Sequence, residues 1–420
     1  MCSISGWDWN IGKRLVADIS SWENKFNWIE ELHTSPDGEK IAAIVNIDEA
    51  EFSVCVNGET WENIFDKIWL LRFSPDGRLT AIVSEDEEWT LAVDGIPWEN
   101  KFDYLWNTLF SKSGTDIAAA VQQDTKYSMA LNGIPWEKSF DNMTNMILSH
   151  DGTKTAASVQ VLPHKEGEIF KFQKGIYTVA ANGTVWDKNF VNVWNMSFSP
   201  DANSLAAEAR SSLYDYTIVV NGKPWDQSFS CVWEPLFNPS GTAVTAPVKI
   251  GEKWTLAEDG RILWDSKFVQ LWHHKYSFDG SKIAAVAAPR FGKWTIAVND
   301  KPWEITFEDF VCDPVFSPDN KKVAAIAKNS DKWVVAIDGE KWGNNFDMVW
   351  DPVFSPDSEH VAVKMEKNGK YTIAIDDILW ANECDAVWEP IFNQAGDRIL
   401  IKTIENNKYY RYIIPVNEIV

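Results

Sequence analysis

The chain has 420 residues, of which 45% are hydrophobic, enough for a large core and too apolar for a disordered chain. Its 39 Lys+Arg against 61 Asp+Glu give a net charge of −22, which disfavours nucleic acid and anionic lipid headgroups and favours basic partners or cations. The five cysteines (Cys2, Cys55, Cys231, Cys312, Cys384) are scattered, which excludes Cys-x-x-Cys chemistry and fits a reducing compartment.

Residues 1–10 are polar, with neither a basic segment nor an apolar one, so they do not read as a secretory signal. No apolar run approaches the roughly 18–20 residues of a membrane span. The expected location is the cytoplasm. Residues 14–20 read as a strand that leads into Trp22 as a third strand does in later repeats. They are expected to complete the last repeat and hide two sheet edges.

From Trp22 onward the chain repeats. Anchor tryptophans stand at Trp22, Trp61, Trp98, Trp136, Trp186, Trp225, Trp264, Trp303, Trp342 and Trp380, spaced 39, 37, 38, 50, 39, 39, 39, 39 and 38 residues apart. A Phe follows four residues later in every copy but the last, which has Cys384. A second Trp comes four residues after that position at Trp69, Trp106, Trp194, Trp233, Trp272, Trp350 and Trp388. A third aromatic position precedes the anchor: Phe52, Trp89, Tyr127, Tyr177, Tyr216, Trp254, Trp294, Trp333 and Tyr371. These three positions absorb 21 of the 24 tryptophans, so the aromatic content is a packing device repeated ten times.

Between the aromatics lie short β-rich runs bounded by Ser-Pro-Asp-Gly turns, intact at 35–38 and 74–77 and weakened elsewhere, and by Asn-Gly or Asp-Gly turns. Pro presets φ, Asp bonds back to the backbone and Gly takes positive φ, so these runs are antiparallel hairpins. Repeats of about 39 residues with three or four strands each are propeller blades. The predicted fold is all-β: one β-propeller over 1–420, with 1–21 as closing strand and 22–420 as ten blades in one closed ring.

The 50-residue spacing before Trp186 places about eleven extra residues near 162–175. Lys165, Lys171 and Lys174 stand there beside Phe170 and Phe172, a basic spot in an acidic chain. The segment reads either as a tolerated hairpin extension or as a partner-docking arm. Trp194, Trp233 and Trp272 begin the strands expected innermost, so their indoles are the other candidate contacts. An acidic residue follows eight anchors (Glu23, Glu62, Glu99, Glu137, Asp187, Asp226, Asp265, Glu304), as a turn acceptor or as a negative rim.

Catalytic patterns are missing. A repeat that supplies a carboxylate everywhere singles out no acid–base pair. His273 and His274 are neighbours on a strand and point to opposite faces, so they share no metal. There is no phosphate loop, no Gly-x-Ser-x-Gly elbow and no His-Glu-x-x-His. The expectation is a protein without catalytic, cofactor or metal residues. The runner-up classes are a quinoprotein-like propeller enzyme and a small-ligand sensor using an aromatic channel mouth.

The Phe-Ser-Pro-Asp-Gly turn followed by Lys-x-x-Ala-Ala resembles the WD-repeat-like propeller family, in its bacterial form related to the translocation-protein propellers. The Gly-His dipeptide of true WD repeats is missing, so their buried Asp–His–Ser–Trp network is not expected. In length and tryptophan content the chain is also similar to the tryptophan-rich cytoplasmic subunit of the transmembrane redox complexes of sulfate-reducing bacteria. That resemblance implies a scaffold without a redox centre, held at the inner membrane by iron–sulfur or membrane cytochrome subunits.

Overall fold

A computed structural model describes residues 4–163 and 167–419. Ten small antiparallel sheets follow one another along the chain as the blades of a ten-bladed β-propeller. Blades 1 to 9 each run in strand order first-second-third-fourth, with the fourth only two residues long, as in Ile96–Pro97. Contacts gather into two compact units, Phe102–Phe307 with blades 3 to 7, and Met1–Lys101 with Glu308–Val420, holding blades 1, 2, 8, 9 and 10.

Two side-chain devices fix each blade. The first turn residue after the third strand, an Asn or Asp followed by Gly or, at Asn299 and Asp376, by Asp (Asn57, Asp94, Asn132, Asn182, Asn221, Asp259, Asn299, Asp338, Asp376), has φ between 45° and 52°. Its Oδ1 accepts the backbone N–H that opens the second strand, at 2.8–3.0 Å. Asn and Asp tolerate that left-handed geometry and supply the bond a hairpin needs. In the Ser-Pro-Asp-Gly turn the buried serine hydroxyl donates to the Asp and accepts the N–H five residues on, as Ser199 does with Asp201 and Ser204. The serine bond and the Asn203 N–H hold the Asp201 carboxyl down at about 2.

The second strands carry the core, with Ala pairs such as Ala118–Ala119 and Ala284–Ala285 fully buried so that sheets pack closely. The Phe four residues after each anchor is buried in all nine copies, as is Cys384. The anchors divide: Trp22, Trp264, Trp342 and Trp380 are buried, and the other six are half-buried. Trp61, Trp136, Trp186 and Trp225 each sit at a blade edge, against the turn of the next blade. A Cβ on Gly95 would lie 3.0 Å from the Trp61 ring, and one on Gly222 3.4 Å from Trp186. The anchors therefore seal edges, while the Phe series fills the gaps.

The amino-terminal strand Gly12–Asp18 pairs antiparallel with Lys408–Pro415, from Gly12↔Ile413 to Asp18↔Lys408. It serves as the fourth strand of blade 10, beside Lys408–Pro415 in the third place, and so completes the last repeat. The insertion holds a five-residue α-helix, Ile169–Gln173, in the connection between the second and third strands of blade 4, where a plain hairpin extension was one expectation.

Candidate functional site

The first strand of every blade is irregular at the register where seven blades carry the second Trp. In blades 2, 3, 4, 5 and 7 it bulges after that position, and Leu70, Asn107, Asn145, Asn195 and His273 take φ of 39–53° there. In blades 6, 8, 9 and 10 it breaks at Pro235, Pro314, Pro352 and Pro390, which lack the N–H a ladder needs. Each second-series Trp packs on the third-strand aromatic of its own blade, with ring centroids from 4.5 Å (Trp69–Trp89) to 6.4 Å (Trp194–Tyr216). These indoles are half-buried or, for Trp69, exposed.

One register position faces this series from the second strand. Trp69 pairs with Ile82, Trp106 with Ala120, Thr144 with Ser158, Trp194 with Glu208 and Trp272 with Val286. In the other blades the equivalent residue is Ile44, Pro247, Ile326, Lys364 or Lys402, whose carbonyl accepts the facing N–H. The position is apolar in six blades, yet it carries Glu208, Lys364 and Lys402 in three. A charge where the repeat wants an aliphatic side chain costs stability, and such local violations mark functional positions.

In the unit Phe102–Phe307, Glu208 is only 5% exposed, and burial pushes its carboxyl up to about 7. The Asn195 amide donates to its Oε2 at 2.7 Å, and the His273 N–H donates to Glu234 Oε1 at 2.6 Å. Trp194, Trp233 and Trp272 occupy this strip on three consecutive blades, the first two stacked on Tyr216 and Trp254 and the third tilted on Trp294. The buried Trp233 Nε1 has no hydrogen-bond partner. His273 is exposed, while His274 is buried with Nε2 2.8 Å from Thr245 Oγ1 and its pKa pushed down to about 4 by burial.

The connections between second and third strands differ sharply along the same unit. Phe170 is 82% exposed, Tyr214 81% and Phe291 92%, at the tips of blades 4, 5 and 7. Ile169 and Leu213 add exposed apolar surface beside them. Lys171, Lys174, Arg210, Arg290 and Lys293 flank these tips, Lys253 stands at the tip of blade 6, and Arg210 holds its own tip through Nε to the Ser212 carbonyl at 3.2 Å. The corresponding tips of blades 1 and 2, by contrast, read Asp48-Glu49-Ala50-Glu51 and Glu85-Asp86-Glu87-Glu88. Phe170 and Lys171 thus lie on the exposed helix, with Lys171 3.6 Å from Glu168; Phe172 is half-buried, Lys174 follows the helix, and Lys165 lies outside the described residues.

The other unit holds two recesses, one beside half-buried Lys364 and one beside buried Lys402. One, of about 410 Å³, is walled by Trp333, Trp350, Trp388, Asp351 and Lys364, whose Nζ sits 4.1 Å above the Trp350 ring. The other, of about 360 Å³, is walled by His33, Thr34, Arg72, Trp388, Glu389 and Lys402. Burial pushes the Lys402 ammonium down to about 8, against the pull of Glu389 and Asp37. Sequence periodicity found the Trp strip and the basic insertion but missed both recesses; aligning the second strands on the residue opposite the second-Trp register exposes them.

The acidic residues after the anchors are exposed. The turn acceptor is a different carboxylate: Asp300 accepts the Asp265 and Ser266 N–H groups, and Asp377 those of Gly343 and Asn344. Cys55, Cys312 and Cys384 are free thiols pushed up to about 11, 12 and 12 by burial. Among the described residues no cluster of three or more His, Cys, Asp or Glu side chains could hold a metal ion, and no helix is long and apolar enough to cross a membrane.

No family model and no curated protein matches the chain. Among solved structures it is similar to a crystal structure of the eukaryotic initiation factor, with a TM-score of 0.49 and 14% identity over 79% of this chain and 90% of that one. A likeness that distant carries no argument about function. The fold class, a ten-bladed β-propeller, rests on the sheets themselves, and it fits a scaffold or interaction role.

Proposed function

We propose that the chain is a non-catalytic interaction scaffold that docks an acidic partner through the second–third strand tips of blades 4 to 7. The observation that carries this reading is the set of tips presenting Phe170, Tyr214 and Phe291 to solvent among lysines and arginines, in a chain of net charge −22. Exposed aromatics ringed by cations are how an interface combines a desolvated anchor with electrostatic selection. Blades 1 and 2, with carboxylates at the same tips, would repel that partner.

The resemblance to the redox-complex subunit narrows the partner to an iron–sulfur or membrane cytochrome subunit of a respiratory electron-transfer complex, with the chain in the cytoplasm at the inner membrane. The test is affinity purification from the native host with the full chain and with a Phe170→Asp, Lys171→Glu, Lys174→Glu variant. Haem- or iron–sulfur-containing subunits should co-elute with the first and be lost with the second. Equal recovery with both would remove the tips from the interface. The purified protein is expected to be colourless; a quinone absorption band would replace the scaffold reading with the quinoprotein one.

A further inference from the structure

We infer that the recess between Lys402, Arg72 and Thr34 is a binding site for the oxyanion group, carboxylate or phosphate, of a small molecule. Three elements of one unit build it: the first strand of blade 1 with His33 and Thr34, that of blade 2 with Arg72, and blade 10 with Trp388, Glu389 and Lys402.

Lys402 is 5% exposed, and its one hydrogen-bond partner among the described residues is the Ser35 carbonyl at a long 3.5 Å. An ammonium has three donors, so most of its capacity is unused. Glu389 and Asp37 act on it through space without ion-pair contact. Arg72, half-buried on the facing wall, is held down by desolvation, and its charge reaches His33, whose imidazole is held down by burial and by Arg72. The Thr34 hydroxyl is buried with no hydrogen-bond partner. Two desolvated cations and an idle hydroxyl donor therefore line one cavity.

Glu389 is the one carboxylate among the described residues of the wall. Burial pushes its carboxyl upward against the pull of Lys402, and its charge competes with an incoming anion for the cations. Phe73, Trp388 and Ile391 supply an apolar wall for the remainder of a ligand. An incoming oxyanion would pair the buried ammonium that the repeat itself leaves uncompensated, a strong charge-assisted contact in a water-poor site. The inference does not depend on the docking surface, which lies in the other unit.

The experiment is calorimetric titration of the full chain with inorganic phosphate and, separately, with succinate, at fixed ionic strength. Saturable binding of either anion is expected, and the preferred anion identifies the ligand's head group. Arg72→Gln and Lys402→Met should each weaken binding about tenfold or more. Thr34→Val, which keeps shape and removes only the hydroxyl, should weaken it several-fold. Glu389→Gln should tighten it, an effect that a merely structural carboxylate would not produce. Lys402→Met is expected to fold because Ile44, Ile82 and Ile326 fill the same position elsewhere; Thr34→Val and Glu389→Gln carry the test independently. The inference is overturned if wild type binds neither anion up to about 10 mM, or if Arg72→Gln or Thr34→Val binds as wild type does.

Discussion

Replacing Lys402 by Met should make this protein more stable at neutral pH. The side chain occupies a position that six other blades fill with Ile, Ala, Val or Pro, so Met fits the space. Its folded-state pKa of about 8 stands below the ordinary 10.5, so the unfolded chain binds the proton more tightly. Between those two values the unfolded state holds more protons, and stability rises with pH across that window. At pH 7 the penalty of keeping the lysine buried is about 3 kcal/mol, and at pH 10 about 1 kcal/mol. Lys402→Met removes that penalty, so its advantage over wild type should shrink threefold between the two pH values. Paired urea-unfolding curves at pH 7 and pH 10 measure it. A variant that is less stable at pH 7, or whose offset from wild type is the same at both, would refute the reasoning, because Lys402 would then be paired and paying its way.

Glu208→Gln runs in the opposite sense. With the carboxyl raised from 4.5 to about 7, its contribution is fully present below pH 4.5 and lost as pH rises through 7. The glutamine should therefore match wild type near pH 4.5 and exceed it by up to about 3 kcal/mol at pH 8, read from thermal or urea unfolding. Asn132→Ala should cost about 2–3 kcal/mol, since it removes the Oδ1 bond to the Ile117 N–H and leaves a Cβ residue at φ 49°. Asn132→Gly should recover part of that loss by relieving the backbone alone, and equal unfolding midpoints for the two variants would contradict this. Deleting residues 1–18 should lower the melting temperature and promote association in light scattering, because it bares the Lys408–Pro415 edge. An unchanged melting temperature would show that the pairing adds nothing.

The blade architecture was legible because the repeat is written in large side chains at fixed spacing. Trp61, Phe65 and Trp69 announce an edge, a gap filler and an inner strand in nine residues, and the turns name themselves through Ser, Asp and Gly. The split between buried Phe and edge-sealing Trp was not legible, since both are large aromatics and only the close approach of Gly95 or Gly222 tells them apart. Trp194, Trp233 and Trp272 were found because they recur. Lys364 and Lys402 were missed because they do not: their signal is a departure from an apolar column, visible only when second strands are aligned. Tyr214 and Phe291 stand on loops that carry no period, so nothing linked them to Phe170 before the tips were seen together.

The pairing of Gly12 with Ile413 joins residues 401 positions apart (413 − 12), the longest-range register among the described residues. The chain entropy of closing such a span is about 5 kcal/mol, roughly twice that of a 20-residue hairpin. Nine blades can form by local zipping as the chain emerges, while the tenth needs a strand that precedes all of them in the chain. Until then the strand Gly12–Asp18 and the edge it will cover are both open. Closure is thus expected to be the slow step of folding, and the interval before it the time when the chain is most exposed to pairing with another copy.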